Sequence, residues 1–138
     1  MAAQYFDLPD GRRMREIDAQ EAVALATRPL VKGVTADLTG IHVRGPLDLR
    51  GAALGNVDFS GSLFEGPVRA EGARFPGLAW FKGCRFEGGA DFSACVFGSD
   101  LRFDGARCAG AAVFARAQFL GVADLTARGS RARRISAR

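Results

Sequence analysis

Ten of the eleven phenylalanines in this chain fall on two ladders of eleven-residue period. One ladder runs Phe59, Ala70, Phe81, Phe92, Phe103, Phe114, Leu125, and the other runs Phe64, Phe75, Phe86, Phe97, Cys108, Phe119. Phe6 alone stands apart. Two residues before each ladder position sits a small or aliphatic side chain, such as Val57, Val68 and Ala79, or Ala73, Cys84 and Cys95. The unit is small–x–Phe, repeated at steps of five and six residues in alternation, with glycine and polar residues between.

A spacing of two puts both apolar side chains on one face of an extended segment and turns the middle residue outward. Glycine between the pairs permits the corner conformations that other residues resist. Segments this short cannot hold alone, but stacked in a solenoid each buries its pair against the segments above and below. Each ladder is expected to become a continuous interior column of rings. A helical reading of the eleven-residue period fails, because a glycine every five or six residues would cost about 1 kcal/mol each in helix interiors. Upstream, Ala36/Leu38, Ile41/Val43, Leu47/Leu49 and Ala52/Leu54 keep the register with one slip. From Leu54 to Phe59 the step is five where six is due, so one corner lacks a residue.

This divides the chain into an N-terminal cap over residues 1–33, an all-β solenoid over 34–128 and a basic tail over 129–138. In the cap, residues 4–17 read as a hairpin turning at Pro9, Asp10 and Gly11. A short helix follows, with Asp18 and Glu21 at capping-box spacing and Pro29 as its stop. Its apolar side, Ala22, Val23, Leu25 and Ala26, is expected to close the first coil.

The units ADLTG (36–40), VDFSG (57–61), ADFSA (90–94) and ADLTA (123–127) resemble the A(D/N)Lxx and A(D/N)Fxx units of the pentapeptide-repeat proteins. The intervening GARF, GCRF and ACVF resemble the phenylalanine-rich branch in which five- and six-residue steps alternate. The resemblance implies a right-handed quadrilateral β-helix with four faces per coil. Two eleven-residue repeats would make one coil, and about four coils spaced about 4.8 Å apart would form a rod of about 20 Å. It also implies candidate partners, because the best understood members bind DNA gyrase and topoisomerase IV by imitating DNA with an acidic surface. That role needs rows of exposed Asp and Glu, whereas residues 36–127 carry ten acidic and nine basic side chains.

The net charge of +4 belongs to the tail, where residues 128–138 hold five arginines and no acid. No aromatic residue interleaves with these arginines, which argues against nucleic acid as the main partner. Three cysteines are an odd number without metal spacing. Cys84 and Cys95 take the small inward position and Cys108 replaces a ladder ring, so all three read as core. His42 falls between two inward residues and is expected to point outward without a catalytic partner. Neither a catalytic motif nor a cofactor motif is present, and a ring-filled interior leaves no pocket in which to desolvate a substrate. No enzyme activity, cofactor or metal is expected.

The expected function is a non-enzymatic protein-interaction or scaffold module. The alternatives are a DNA-mimicking topoisomerase binder and a filament-forming structural protein. Trp80 is expected to be exposed and to mark an interaction surface together with Arg131, Arg133 and Arg134. The C-terminal end looks poorly capped and is expected to pair with a second copy. The first residues lack a basic-then-apolar leader, so a cytoplasmic location is expected.

Overall fold

The computed structural model describes residues 4–7, 13–126 and 135–137, with side chains described for 13–126. The chain winds as a four-sided β-solenoid, and each side is a sheet of short parallel strands contributed by successive coils. Face 1 stacks Thr35–Asp37, Asn56–Asp58, Ala79–Trp80, Leu101–Arg102 and Ala123–Asp124, five rungs in all. Face 2 stacks Ile41–Val43, Leu63–Phe64, Arg85–Phe86 and Arg107–Cys108. Face 3 stacks Leu47–Asp48, Val68–Arg69, Ala90–Asp91 and Ala112–Phe114, and face 4 stacks Arg74–Phe75, Val96–Phe97 and Gln118–Phe119. Strands of two or three residues suffice because every coil lends its backbone groups to the next: the Phe59 N–H donates to Trp80 O at 2.7 Å and Phe81 N–H to Arg102 O at 2.6 Å.

The pairing fixes the length of each coil. Val57, Ala79, Leu101 and Ala123 stack in register, each two eleven-residue repeats after the one before. Ala36 stacks on Val57 with one residue fewer between them, so the slip seen in the sequence is a real shortening of the first coil. Ala53 bridges Arg74 with the same shortfall, which puts the loss at the corner formed by Gly55 and Asn56. There the Asn56 side chain takes over work that a backbone amide would do. Its Oδ1 accepts the Leu78 N–H at 2.8 Å, and its Nδ2 donates to Val34 O at 3.0 Å. A β-carbon on Gly77 would land on that Oδ1, so the following coil must keep a glycine there.

A coil built from two repeats also corrects the picture of two ring columns. Each eleven-residue repeat covers two of the four faces, so partners in a stack lie two repeats apart. Phe59 stacks on Phe81 and Phe64 on Phe86, both with centroids at 5.2 Å, and Phe75 stacks on Phe97 at 5.0 Å. Phe92 stacks on Phe114 at 5.2 Å, and Phe103 leans across to stack on Phe86. Neighbouring columns meet edge to face, as in Phe59 against Phe64 at 5.7 Å. Nine of the ladder rings are fully buried, while Phe119 in the last coil is only partly covered.

The N-terminal segment closes the first coil. Gln4–Asp7 pairs antiparallel with Arg13–Glu16, which in turn lies parallel to Ile41–Val43 and so adds a rung to face 2. The helix Ala19–Ala26 starts at Asp18, whose carboxylate accepts the Gln20 N–H at 2.8 Å, and ends where Thr27 donates N–H and hydroxyl to Val23 O. Its Ala22 and Ala26 are fully buried in the core. At the other end, Ile135–Ala137 pairs in parallel with Ala112–Phe114 and adds a fifth rung to face 3. The basic tail thus carries a strand, with Ile135 in register with inward Ala112.

Candidate interaction surface

The outward residue of each rung is where this fold meets its surroundings, and on faces 1 and 3 it is repeatedly an Asp. An Asp there folds back to accept the N–H two residues on: Asp37 from Thr39, Asp58 from Ser60, Asp91 from Ser93 and Asp124 from Thr126, at 2.9–3.1 Å. These Asx turns stiffen the corner and satisfy the carboxylate within its own rung. The Thr39 hydroxyl and N–H hold Asp37 below the ordinary carboxylate range, and the Thr126 N–H does the same for Asp124. On face 3, the Arg50 guanidinium and N–H bring Asp48 down to about 2.

Face 1 abandons this arrangement on two consecutive rungs. Its outward ladder reads Asp37, Asp58, Trp80, Arg102, Asp124. Trp80 and Arg102 have no carboxylate to fold back, and the corner row beside them carries Lys82 and Asp104, where the other rungs of this face carry Thr39, Ser60 and Thr126. Trp80 is half-buried between its ladder neighbours rather than exposed as expected, because residues one rung above and below cover part of a large ring. The Lys82 Nζ lies 6.0 Å from its ring centroid. Among the described residues, Trp80 Nε1, Arg102 Nε, Asp104 Oδ1 and Ser60 Oγ have no hydrogen-bond partner.

The charges of faces 2 and 3 behave differently. Arg44 pairs with Glu16 and Arg85 with Glu87 on face 2, while Arg50 pairs with Asp48 and Arg69 with Glu71 on face 3. His42 is buried, contrary to the outward exposure expected for it, with Nε2 3.4 Å from Glu65 Oε2. It lies in a ladder between Glu16 and Leu63, and an added rung above the first coil is what covers it.

The remaining sequence candidates sort as follows. Cys84, Cys95 and Cys108 are all buried, and two of them back-bond to the coil before: Cys84 Sγ to Phe59 O at 3.0 Å and Cys95 Sγ to Ala70 O at 2.9 Å. Desolvation pushes all three thiols up, Cys95 to about 12 and Cys108 to about 11, so none is poised as a thiolate. No group of three His, Cys, Asp or Glu that could hold a metal occurs among the described residues. Arg131, Arg133 and Arg134 lie outside the described residues. A shallow hollow of about 190 Å³ opens where the helix and its following loop cross the first rung, lined by Leu25, Arg28, Pro29, Val34, Asp37 and Asn56. Sequence reasoning misses Asn56, although the shortened corner beside it is a signal.

Residues 70–118 match a family model described as pentapeptide repeats (9 copies), a stretch that includes Trp80, Lys82, Arg102 and Asp104. Residues 70–118 are thus similar to pentapeptide repeats, and the coils on either side continue the same four-sided winding. No curated protein and no solved structure is significantly similar to it. Within the pentapeptide-repeat frame, the Asp of the A(D/N)Fxx unit is the residue that makes the Asx turn. Rungs 3 and 4 of face 1 are therefore departures from a self-satisfied unit. No helix among the described residues is long and apolar enough to cross a membrane.

Proposed function

We propose that this chain is a pentapeptide-repeat protein and a non-enzymatic scaffold or interaction module of the cytoplasm, and that it acts by rigid display. The observation that supports this reading most is the break in face 1. On a face whose other three rungs satisfy their own outward carboxylate, two adjacent rungs instead offer an aromatic ring, a guanidinium, an ammonium and a carboxylate. The ring N–H, the guanidinium Nε and one carboxylate oxygen there are buried without a hydrogen-bond partner among the described residues, so a partner would meet the remaining atoms of these side chains. Trp and Arg are the side chains that most often anchor protein interfaces. The stacked rings beneath hold that surface fixed, so little conformational entropy is lost when a partner docks. Arg131, Arg133 and Arg134, outside the described residues, add positive charge for weak attachment to acidic partners. End-to-end pairing would use the last coil, where Phe119 and Leu125 are only partly covered.

DNA mimicry finds less support, since the outward ladder of face 1 alone alternates Asp58, Trp80, Arg102 and Asp124. Capture from native lysate tests the proposal, using the wild type beside Trp80→Ala/Arg102→Ala. A partner retained by the wild type and lost by the double variant supports it, and identical capture profiles would overturn it. Gyrase supercoiling is expected to be unchanged at stoichiometric protein; inhibition would favour the mimic instead.

A further inference from the structure

The groups on face 1 that break the pattern complement themselves. Two rows run along the rod: the outward ladder Asp58, Trp80, Arg102, and beside it the corner row Ser60, Lys82, Asp104. The backbone ladder continues through the corner row, with Gly61 N–H to Lys82 O at 2.8 Å and Gly83 N–H to Asp104 O at 2.9 Å, so Lys82 and Asp104 sit on adjacent rungs. Adjacent rungs are about 4.8 Å apart. Now place a second rod against this face, antiparallel, with a two-fold axis running along the strands between rungs 3 and 4. The operation keeps each row opposite itself and exchanges the two rungs. Trp80 of each copy then meets Arg102 of the other, and Lys82 of each meets Asp104 of the other. Both contacts occur twice, a guanidinium on an indole face and an ammonium on a carboxylate.

We propose that face 1 is a lateral docking surface for a second copy of this chain, paired antiparallel through Trp80–Arg102 and Lys82–Asp104. This rests on the reading of the rod as a display surface and names its partner. The charge pattern selects the occupant. A uniformly acidic or basic partner would meet like charge in each row, since each row of the face carries both signs. The copy's own face is complementary at its two central rungs, and the same operation sets Asp58 opposite Asp124, two carboxylates each held by the N–H two residues on in its own rung. A face only five rungs tall places the interface at the small end of the size range, so association is expected in the micromolar range. The axis lies on the side of the rod, so this pairing uses none of the surface an end-to-end contact would use.

The experiment is a charge swap read by sedimentation velocity and by the emission of Trp80, the single tryptophan of the chain. Wild type is expected to dimerise as concentration rises, with a concentration-dependent change in Trp80 emission. Lys82→Asp puts carboxylates opposite each other, and Asp104→Lys puts ammonium groups opposite each other, so each alone is expected to weaken dimerisation at least about tenfold. The decisive measurement mixes the two variants. One then carries Asp at both positions and the other Lys at both, and the mixture is expected to regain association close to wild type. Circular dichroism of each variant checks that it is folded, and regained association in the mixture shows that both are competent. A wild type that stays monomeric to several hundred micromolar, or dimers that persist in both variants, would overturn the proposal. If dimers are absent but lysate capture still requires Trp80, the display reading stands and the second copy is the wrong occupant.

Discussion

The first coil and the coils after it solve the same problem with different materials. Coils built on Val57, Ala79 and Leu101 take two full eleven-residue repeats per turn and fill the interior with stacked rings. The coil beginning at Ala36 is one residue shorter and fills it with Leu38, Val43, Leu49 and Leu54, all buried. Rings stack mainly on rings one coil above or below, with Phe103 reaching across to Phe86 as the exception. Aliphatic side chains accept less regular neighbours, including the helix Ala19–Ala26 and the hairpin strand Arg13–Glu16. The lesson is that the aromatic columns demand a constant coil length, while the aliphatic end tolerates a shortened one provided that something repairs the corner. Asn56 is the repair.

Breaking a ring in the middle should therefore hurt more than breaking an aliphatic contact at the end. Phe92 sits amid the rings of Phe75, Phe81, Phe86, Phe97, Phe103 and Phe114, stacked on Phe114 at 5.2 Å and edge-on to Phe81 at 5.4 Å. Neighbours fixed by their own stacks cannot collapse into the space it leaves. Phe92→Ala is expected to cost about 3–5 kcal/mol in urea unfolding. Leu38→Ala, next to a cap that can shift, is expected at the low end of the Leu→Ala range, about 2–3 kcal/mol. An equal or larger loss for Leu38→Ala would sink the distinction between the two regions.

The corner can be dissected at one side chain. Asn56→Ala leaves the Leu78 N–H without its acceptor and releases the 31–34 loop, with an expected cost of about 1–3 kcal/mol. Asn56→Asp keeps the acceptor for Leu78 but turns the donor toward Val34 O into a second acceptor, so it should recover only part of the loss. Hydrogen exchange at Leu78 separates the two effects: fast in the Ala variant, protected in the Asp variant. Equal exchange in both would show that the side chain does not stand in for the missing backbone.

Much of this is legible in the sequence, for physical reasons that can be named. Phenylalanine at fixed spacing gives away the solenoid because few other folds need rings at a constant step. The missing residue after Leu54 is visible because every later step is regular. The helix cap is visible through Asp18, whose backbone preference is local, while the turn expected at Pro9, Asp10 and Gly11 lies outside the described residues. What stays hidden depends on which coil lies next to which. Whether Phe59 stacks on Ala70 or on Phe81 is set by faces per coil, which the eleven-residue period leaves open and only the resemblance to pentapeptide repeats supplies. The coverage of His42 comes from a rung added by a distant hairpin, and the half-burial of Trp80 from neighbours a full coil away in the chain. The candidate surface on face 1 becomes recognisable only once Trp80, Lys82, Arg102 and Asp104 lie on adjacent rungs.

The smallest expected effect tests the constancy of the ring-filled coils themselves. Their corners turn through the left-handed region every eleven residues, at Gly61, Gly72, Gly83, Ala94, Gly105 and Arg116, with Gly89 as an additional such turn. Ala94 holds φ at 58° where the position one coil earlier, Gly72, has 71°. A β-carbon in that region crowds the following carbonyl, at a cost of about 1–2 kcal/mol. Ala94→Gly removes the crowding but loosens the unfolded chain by about 0.4–1 kcal/mol. The net is a gain of about 0.5–1 kcal/mol, expected as a higher urea midpoint at unchanged slope. The converse change, Gly72→Ala, meets nothing within 4 Å and so adds only the backbone strain, with a loss of similar size expected. If Ala94→Gly destabilised the protein, the corner would be held by packing of the Ala94 methyl, and the regular coil would owe less to backbone geometry than to its side chains.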